Sequence, residues 1–235
     1  MASWRSASPP PRLRKQPAVT AVIAAAGSGE RLGAGGPKAF VPLAGRLMLE
    51  WSLDAFRACG SVGAIVVAAP PGHEGDVDAD DDLAVVAGGA TRAQSVANAL
   101  EAVETDYVAI HDAARPLLTP ELVEALVADL DAEPEAAGVI AAAPVTDTIK
   151  RGGRVIEATE DRSQLWAAQT PQVFRADALR EALVAAERPE EATDEAMLVE
   201  QAGGTVLIHP VEGQNLKVTT PLDLQVAELL LQPRR

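Results

Sequence analysis

The sequence predicts an α/β fold built on a doubly wound, mostly parallel sheet. Three observations predict it. Six short runs of Val, Ile, Leu and Ala recur along the 235 residues, and near-continuous apolar runs of this kind suit parallel strands buried on both faces. Longer stretches with helical spacing lie between them, so β and α alternate. Two of those stretches open on Thr-Pro, at Thr119-Pro120 and Thr220-Pro221, which places a capping hydroxyl before proline at the first helical position.

In chain order, strands are expected at about 19–24 (VTAVIA), 64–69 (AIVVAA), 83–87 (LAVVA), 107–111 (YVAIH), 138–143 (GVIAAA) and 205–209 (TVLIH). Helices are expected at about 46–59, 92–103, 120–131, 176–187, 194–202 and 221–231. Residues 144–170 break the rhythm, with two short strand-like runs flanking Arg151-Gly152-Gly153-Arg154. That is a hairpin signal, and its charged character predicts an arm projecting from the main domain over about 144–165. The acidic stretch DVDADDDL lacks glycine and an acidic residue at the loop positions of an EF-hand, so it reads as a solvated loop.

The chain is 48% hydrophobic but only 3% aromatic, so one core of small aliphatic side chains is expected, in a single domain over 18–235. Residues 1–17 carry Arg5, Arg12, Arg14 and Lys15 with no acid and read as a disordered basic tail. Cys59 is the single cysteine, so no internal disulfide forms and a reducing, cytoplasmic setting is expected. No apolar run reaches the length of a membrane span. The formal charge is −14, which repels nucleic acid and anionic membranes. Any phosphate site must therefore carry its own cations.

Such cations appear in AAAGSGERLGAGGPKAF, the stretch from Ala24 to Phe40 that follows the first strand. A Walker A loop is excluded because Pro37 and Ala39 flank Lys38, leaving no hydroxyl for magnesium. A dinucleotide fingerprint is excluded because Gly27, Gly29 and Gly33 are spaced one residue too widely. The parts instead suit a triphosphate: glycines that admit backbone N–H groups, a guanidinium fork from Arg31 and a compact charge from Lys38.

This loop resembles the signature of the glycosyltransferase-A-like nucleotidyltransferases, whose sheet is Rossmann-like and which include the nucleotide-diphospho-sugar transferases. Six further motifs narrow the resemblance: AGGATRAQSV, HDAARP, APVTDTIK, DRSQLWAAQTPQVF, TDEA and NLKVTTPLDL. In that order they resemble the 2-C-methyl-D-erythritol 4-phosphate cytidylyltransferases of the non-mevalonate isoprenoid pathway. The resemblance implies transfer of a cytidylyl group from CTP to 2-C-methyl-D-erythritol 4-phosphate, with release of pyrophosphate and with Mg2+ or another divalent cation present. The substrate phosphate is itself the nucleophile, so no Ser, Cys or His nucleophile is needed.

The resemblance also implies roles. Ala25, Ala26 and Gly27 wall the CTP site, while Arg31 and Lys38 stabilise charge on the triphosphate. Gly89 and Ser95 read the cytosine, largely through backbone groups. Asp112 meets the methylerythritol hydroxyls or the metal, directly or through water. Arg115 either holds the substrate region or fixes its loop by a salt bridge. Thr148, Thr170 and Thr193 match polar contacts of the substrate pocket, with Thr193 equally readable as a helix cap before Asp194-Glu195. Arg162 and Lys217 hold the substrate phosphate, and Arg162 comes from the neighbouring subunit of a homodimer clasped by the arms. Three alternatives stand beside this reading: a ribitol 5-phosphate cytidylyltransferase, a nucleotide-binding regulator without catalysis, and a sugar-nucleotide pyrophosphorylase using ATP, GTP or UTP, which HDAARP and the Gly89/Ser95 loop disfavour. DTIK, DRSQLW and TDEA favour methylerythritol phosphate over ribitol phosphate, and the four cations together argue against a regulator.

Overall fold

A computed structural model describes residues 19–27, 29, 32, 36–211, 213 and 215–232. The basic tail and Arg31 therefore lie outside the described residues.

The chain opens with β1 (Val19–Ala24), followed by a small two-stranded ribbon of β2 (Pro42–Leu43) and β3 (Arg46–Leu47). Helix α1 (Met48–Arg57) starts where the Glu50 carboxylate accepts the Leu47 N–H at 2.9 Å. Then come β4 (Val62–Ala69), β5 (Leu83–Ala87), α2 (Arg92–Leu100), β6 (Tyr107–Asp112), α3 (Pro120–Ala132) and β7 (Gly138–Pro144). The arm is an exposed hairpin of β8 (Lys150–Gly152) and β9 (Ile156–Thr159). The chain returns through β10 (Trp166–Arg175), α4 (Ala176–Ala185), α5 (Glu195–Gln201), β11 (Val206–Pro210) and α6 (Pro221–Leu231). Thr91, Thr119 and Thr220 each cap a helix, their hydroxyls accepting from Gln94, Leu122 and Asp223, a contact worth about 1 kcal/mol each.

Seven strands form the central sheet in the order β11-β7-β10-β6-β1-β4-β5. All pairings are parallel except those of β10, which runs antiparallel between β6 and β7. This strand departs from the sequence reading, which placed an arm and a polar motif here. Its segment AAQTPQ lacks an apolar run, and Pro171 has no N–H for a ladder. The strand accommodates Pro171 at a register irregularity between Ala168 and Gln172, and flanking strands bury what composition alone marks as exposed.

Alternate residues of each strand face opposite sides, so the core splits in two. Val19, Ala21, Ile23, Val67 and Ala109 pack under α1 and α3, with Phe56 and Leu126 fully buried. Val22, Val66, Val108 and Ile110 pack under α2, α4 and α5. A third cluster joins Leu43, Met48, Val218 and Ala227, fixing α6 and the segment before it against the ribbon. Among the described residues no helix is long and apolar enough to cross a membrane.

Candidate active site

The register of the central strands builds the site. Ala24, the last residue of β1, stands opposite both Asp112 at the end of β6 and Ala68 in β4, and Ala69 stands opposite Ala87 at the end of β5. Three loops therefore leave the same edge of the sheet side by side, at the carboxyl ends where open α/β sheets bind ligands. They enclose a cavity of about 580 Å³, within the range of small-molecule sites. Its walls include Ala25, Ala26, Gly27 and Lys38 from the first loop, Gly89, Arg92 and Ser95 from the second, and Asp112 from the third, with Lys217 and Thr219 closing one side.

The first loop folds back on itself. The Lys38 N–H donates to the Gly27 carbonyl at 3.1 Å. Gly29 has φ +74°, and a Cβ there would stand 2.8 Å from the Gly36 oxygen, so glycine is required twice over. The second loop is closely seated against the first. A Cβ on Gly88 would lie 2.4 Å from the Ala26 Cβ and 2.9 Å from the Ala69 oxygen. Ser95 is buried, and its hydroxyl is already engaged: Oγ accepts the Gly89 N–H at 3.0 Å and donates to the Thr91 carbonyl at 2.9 Å. The hydroxyl sets the loop's shape, and the loop's backbone forms the wall.

Asp112 is the charged centre. Its Oδ1 accepts from Arg92 Nε at 2.9 Å and its Oδ2 from Lys217 Nζ at 2.6 Å. Burial alone would raise the Asp112 pKa, but Arg92 and Lys217 overcome it and hold the carboxylate well below its usual range. Arg92 continues to Glu195, donating from Nη1 to Oε1 at 2.7 Å and to Oε2 at 2.6 Å. Burial opposes the Arg92 charge, yet Glu195 and Asp112 keep it firmly protonated.

Beneath Asp112 a buried network fixes the third loop. Thr170 Oγ1 accepts the Asp112 N–H at 3.0 Å and lies 3.1 Å from His111 Nδ1. With that oxygen accepting from the backbone, its hydroxyl proton is available for Nδ1, which leaves Nε2 to donate to the Arg115 carbonyl at 3.1 Å. Burial keeps the imidazole neutral, its pKa pushed down to about 4. Arg115 Nη1 donates to the Asn215 carbonyl at 2.6 Å, Asn215 Nδ2 to the Thr170 carbonyl at 2.8 Å, and the Val218 N–H to the Ala114 carbonyl at 2.8 Å. These bonds zip 215–218 onto the loop and carry Lys217 to Asp112.

Of the residues named from sequence, Ala25, Ala26, Gly27, Lys38, Gly89, Ser95, Asp112 and Lys217 meet in this cavity. Arg115 and Thr170 lie buried below it. Arg115 fixes its loop through a carbonyl, not the salt bridge that one sequence reading expected. Thr148 is exposed between β7 and β8, and Arg162 sits past the hairpin in a short turn, bonded to the Thr146 carbonyl. Neither lines the cavity of its own chain. Thr193 does not cap α5; its hydroxyl meets the Met197 sulfur at 3.8 Å, while Asp194 takes the cap by accepting the Met197 N–H at 3.0 Å. Asp194 wins because it directly precedes the first helical residue. Sequence reasoning did not single out Arg92, Glu195, His111 or Asn215 as site residues. Arg92 did carry a signal: a cation in the first turn of a helix opposes the dipole and needs a local reason.

Comparison with known proteins identifies the family. Residues 19–233 match the sequence profile of the 2-C-methyl-D-erythritol 4-phosphate cytidylyltransferases. A protein of that name from Burkholderia cenocepacia is 43% identical over 229 residues, covering 92% of this chain and 96% of its own. One from Symbiobacterium thermophilum is 44% identical, covering 91% and 93%. The crystal structure of the Thermus thermophilus enzyme superposes with a TM-score of 0.74 at 34% identity, over 92% of this chain and 98% of that one. The Francisella tularensis structure gives 0.79 at 28% identity, over 91% and 100%. With a profile matched from the first strand to beyond the last helix, and relatives above two-fifths identity nearly end to end, the chain belongs to the 2-C-methyl-D-erythritol 4-phosphate cytidylyltransferase family.

Proposed function

We propose that the cavity joins CTP to 2-C-methyl-D-erythritol 4-phosphate, giving the cytidine diphosphate of methylerythritol and pyrophosphate. An oxygen of the acceptor phosphate attacks the α-phosphorus in line, the bond to the bridging oxygen breaks, and pyrophosphate leaves with that oxygen. The observation that carries this reading is the Asp112–Lys217 pair, which lines one cavity together with the glycine loop and Lys38. A carboxylate for hydroxyls and an ammonium for phosphate suit a polyol phosphate, and the glycine loop with Lys38 suits a triphosphate.

In this reading Ala25, Ala26, Gly27, Gly89 and Ser95 shape the nucleotide wall, and Lys38 with Arg31 stabilises charge as pyrophosphate departs. Lys217 and Arg162 hold the acceptor phosphate against the repulsion of a second anion. Thr148 and Thr193 contribute polar contacts to the acceptor, and Thr170 and Arg115 support the loop beneath it. Arg162 reaches the site from the second subunit of a homodimer. Exposed Val155 and Ile156 in the arm support this, because a partner would cover them.

A magnesium ion fits the residues present. Asp112 is the one carboxylate on the cavity wall among the described residues, and they contain no cluster of three ligands. That suits an ion carried by phosphate oxygens and water with one protein carboxylate, not a protein cage. When bound, it supplies charge neutralisation on the triphosphate.

Pyrophosphate release tests the proposal, with CTP and either methylerythritol 4-phosphate or ribitol 5-phosphate. Release with the first acceptor alone is expected. Release with ribitol phosphate alone would reassign the acceptor, and tight CTP binding without release would mark a regulator.

A further inference from the structure

Glu195 is 1% exposed. An ionised carboxylate at that depth costs several kcal/mol unless it is paired, and a buried pair is weak evidence of a stabilising role. Its partner Arg92 occupies the first position of α2, where a cation opposes the helix dipole. Two unfavourable placements are kept together, and the geometry shows what they accomplish. Nη1 is held by both Glu195 oxygens and Nε by Asp112 Oδ1. Nη2 has no hydrogen-bond partner among the described residues, in a side chain that lines the cavity and is 28% exposed. Arg92 stands between two carboxylates, so its charge is already compensated. Its remaining N–H pair suits a neutral oxygen, such as a hydroxyl, better than a phosphate.

The two cations on Asp112 also differ. Lys217 is 45% exposed and sits at the rim, where an arriving phosphate can draw it away. Arg92 cannot follow, because Glu195 holds it from behind.

We propose that Arg92 is a further acceptor-binding residue and that Glu195 positions it. Arg92 keeps the Asp112 carboxylate in place when Lys217 turns to the phosphate, and offers Nη2 to a hydroxyl of the polyol chain. Asp112 Oδ2, released by Lys217, accepts from a hydroxyl alongside. The inference rests on the polyol phosphate reading above.

The test measures initial rates of pyrophosphate release with CTP and methylerythritol 4-phosphate for the unaltered chain, Glu195→Gln and Arg92→Lys. CTP affinity is measured separately by titration. Glu195→Gln keeps an acceptor near Arg92 but removes its charge; Arg92→Lys keeps the charge but cannot span two carboxylates. For both variants KM for the acceptor should rise at least about ten-fold, the scale of one charged hydrogen bond, with CTP affinity within about two-fold and kcat changing less than KM. If Glu195→Gln does not fold, Arg92→Lys reads the same claim with the Glu195 charge still compensated. An unchanged acceptor KM in an active variant overturns the inference. So does parallel loss of CTP binding in both variants, which marks a purely structural pair. An unaltered chain that is silent with this acceptor instead defeats the functional reading itself.

Discussion

Lys38 and Lys217 line one cavity but are positioned by different parts of the chain. Lys217 is paired to Asp112 and carried there by a zipped segment, whereas Lys38 follows Pro37 at the start of a single helical turn, its backbone tied to Gly27. In the proposed reaction, a lysine held at this loop should matter most where negative charge builds, on the departing pyrophosphate. Lys38→Ala is expected to lower kcat by about a hundred-fold or more, the usual loss of one preorganised transition-state donor. The Kd for CTP should change far less. Single-turnover rates beside a CTP titration separate the two, and equal losses would place Lys38 in ground-state binding only. Cys59 is a contrasting case. Burial pushes its thiol up to about 12, and its Sγ lies against the Ala55 carbonyl, so it has no nucleophilic character to contribute.

At the scale of elements, the loops after β1 and β5 behave as one wall because Gly88 lets them touch. Gly88→Ala places a methyl 2.4 Å from the Ala26 Cβ and 2.9 Å from a backbone oxygen, so the loops must part. The expected cost is about 1–3 kcal/mol of overpacking strain, read as a fall in Tm of about 2–4 °C for each kcal/mol. KM for CTP should rise more than KM for the acceptor. An unchanged Tm and CTP KM would show that the two loops move independently. The elements themselves were largely legible: six apolar runs became strands, and the Thr-Pro starts became caps. The strand β10 was not legible, because Gln169, Thr170, Pro171 and Gln172 carry neither apolar content nor alternation, and only their neighbours in the sheet make them a strand. The same reason hid half of the site. Lys38, Asp112, Arg92 and Glu195 all stand in local motifs, but the pairing of Arg92 with Glu195 spans 103 residues, a distance over which neither motif nor periodicity speaks. Arg115 was legible as important, though the carbonyl that receives it was not.

At the scale of the whole molecule, Arg162 and Thr148 stand outside the cavity of their own chain, on the segments that flank the exposed hairpin. Chains carrying Lys38→Ala and chains carrying Arg162→Ala should each be nearly inactive. In the homodimer proposed above, these chains mixed in equal amounts and allowed to exchange subunits should recover roughly a quarter of full activity, because half of such dimers would be mixed and each mixed dimer would hold one intact site. No recovery in dimers verified as mixed would place Arg162 in the site of its own chain. The long-range pairing has another consequence, for synthesis. Asp112 leaves the ribosome 105 residues before Lys217, and Arg92 leaves it 103 before Glu195. In a nascent chain the two cations on Asp112 are therefore complete only once Lys217 has emerged, and the buried support of Arg92 only once Glu195 has. Translation that stops between Glu195 and Lys217 leaves Asp112 with one cation in place of two.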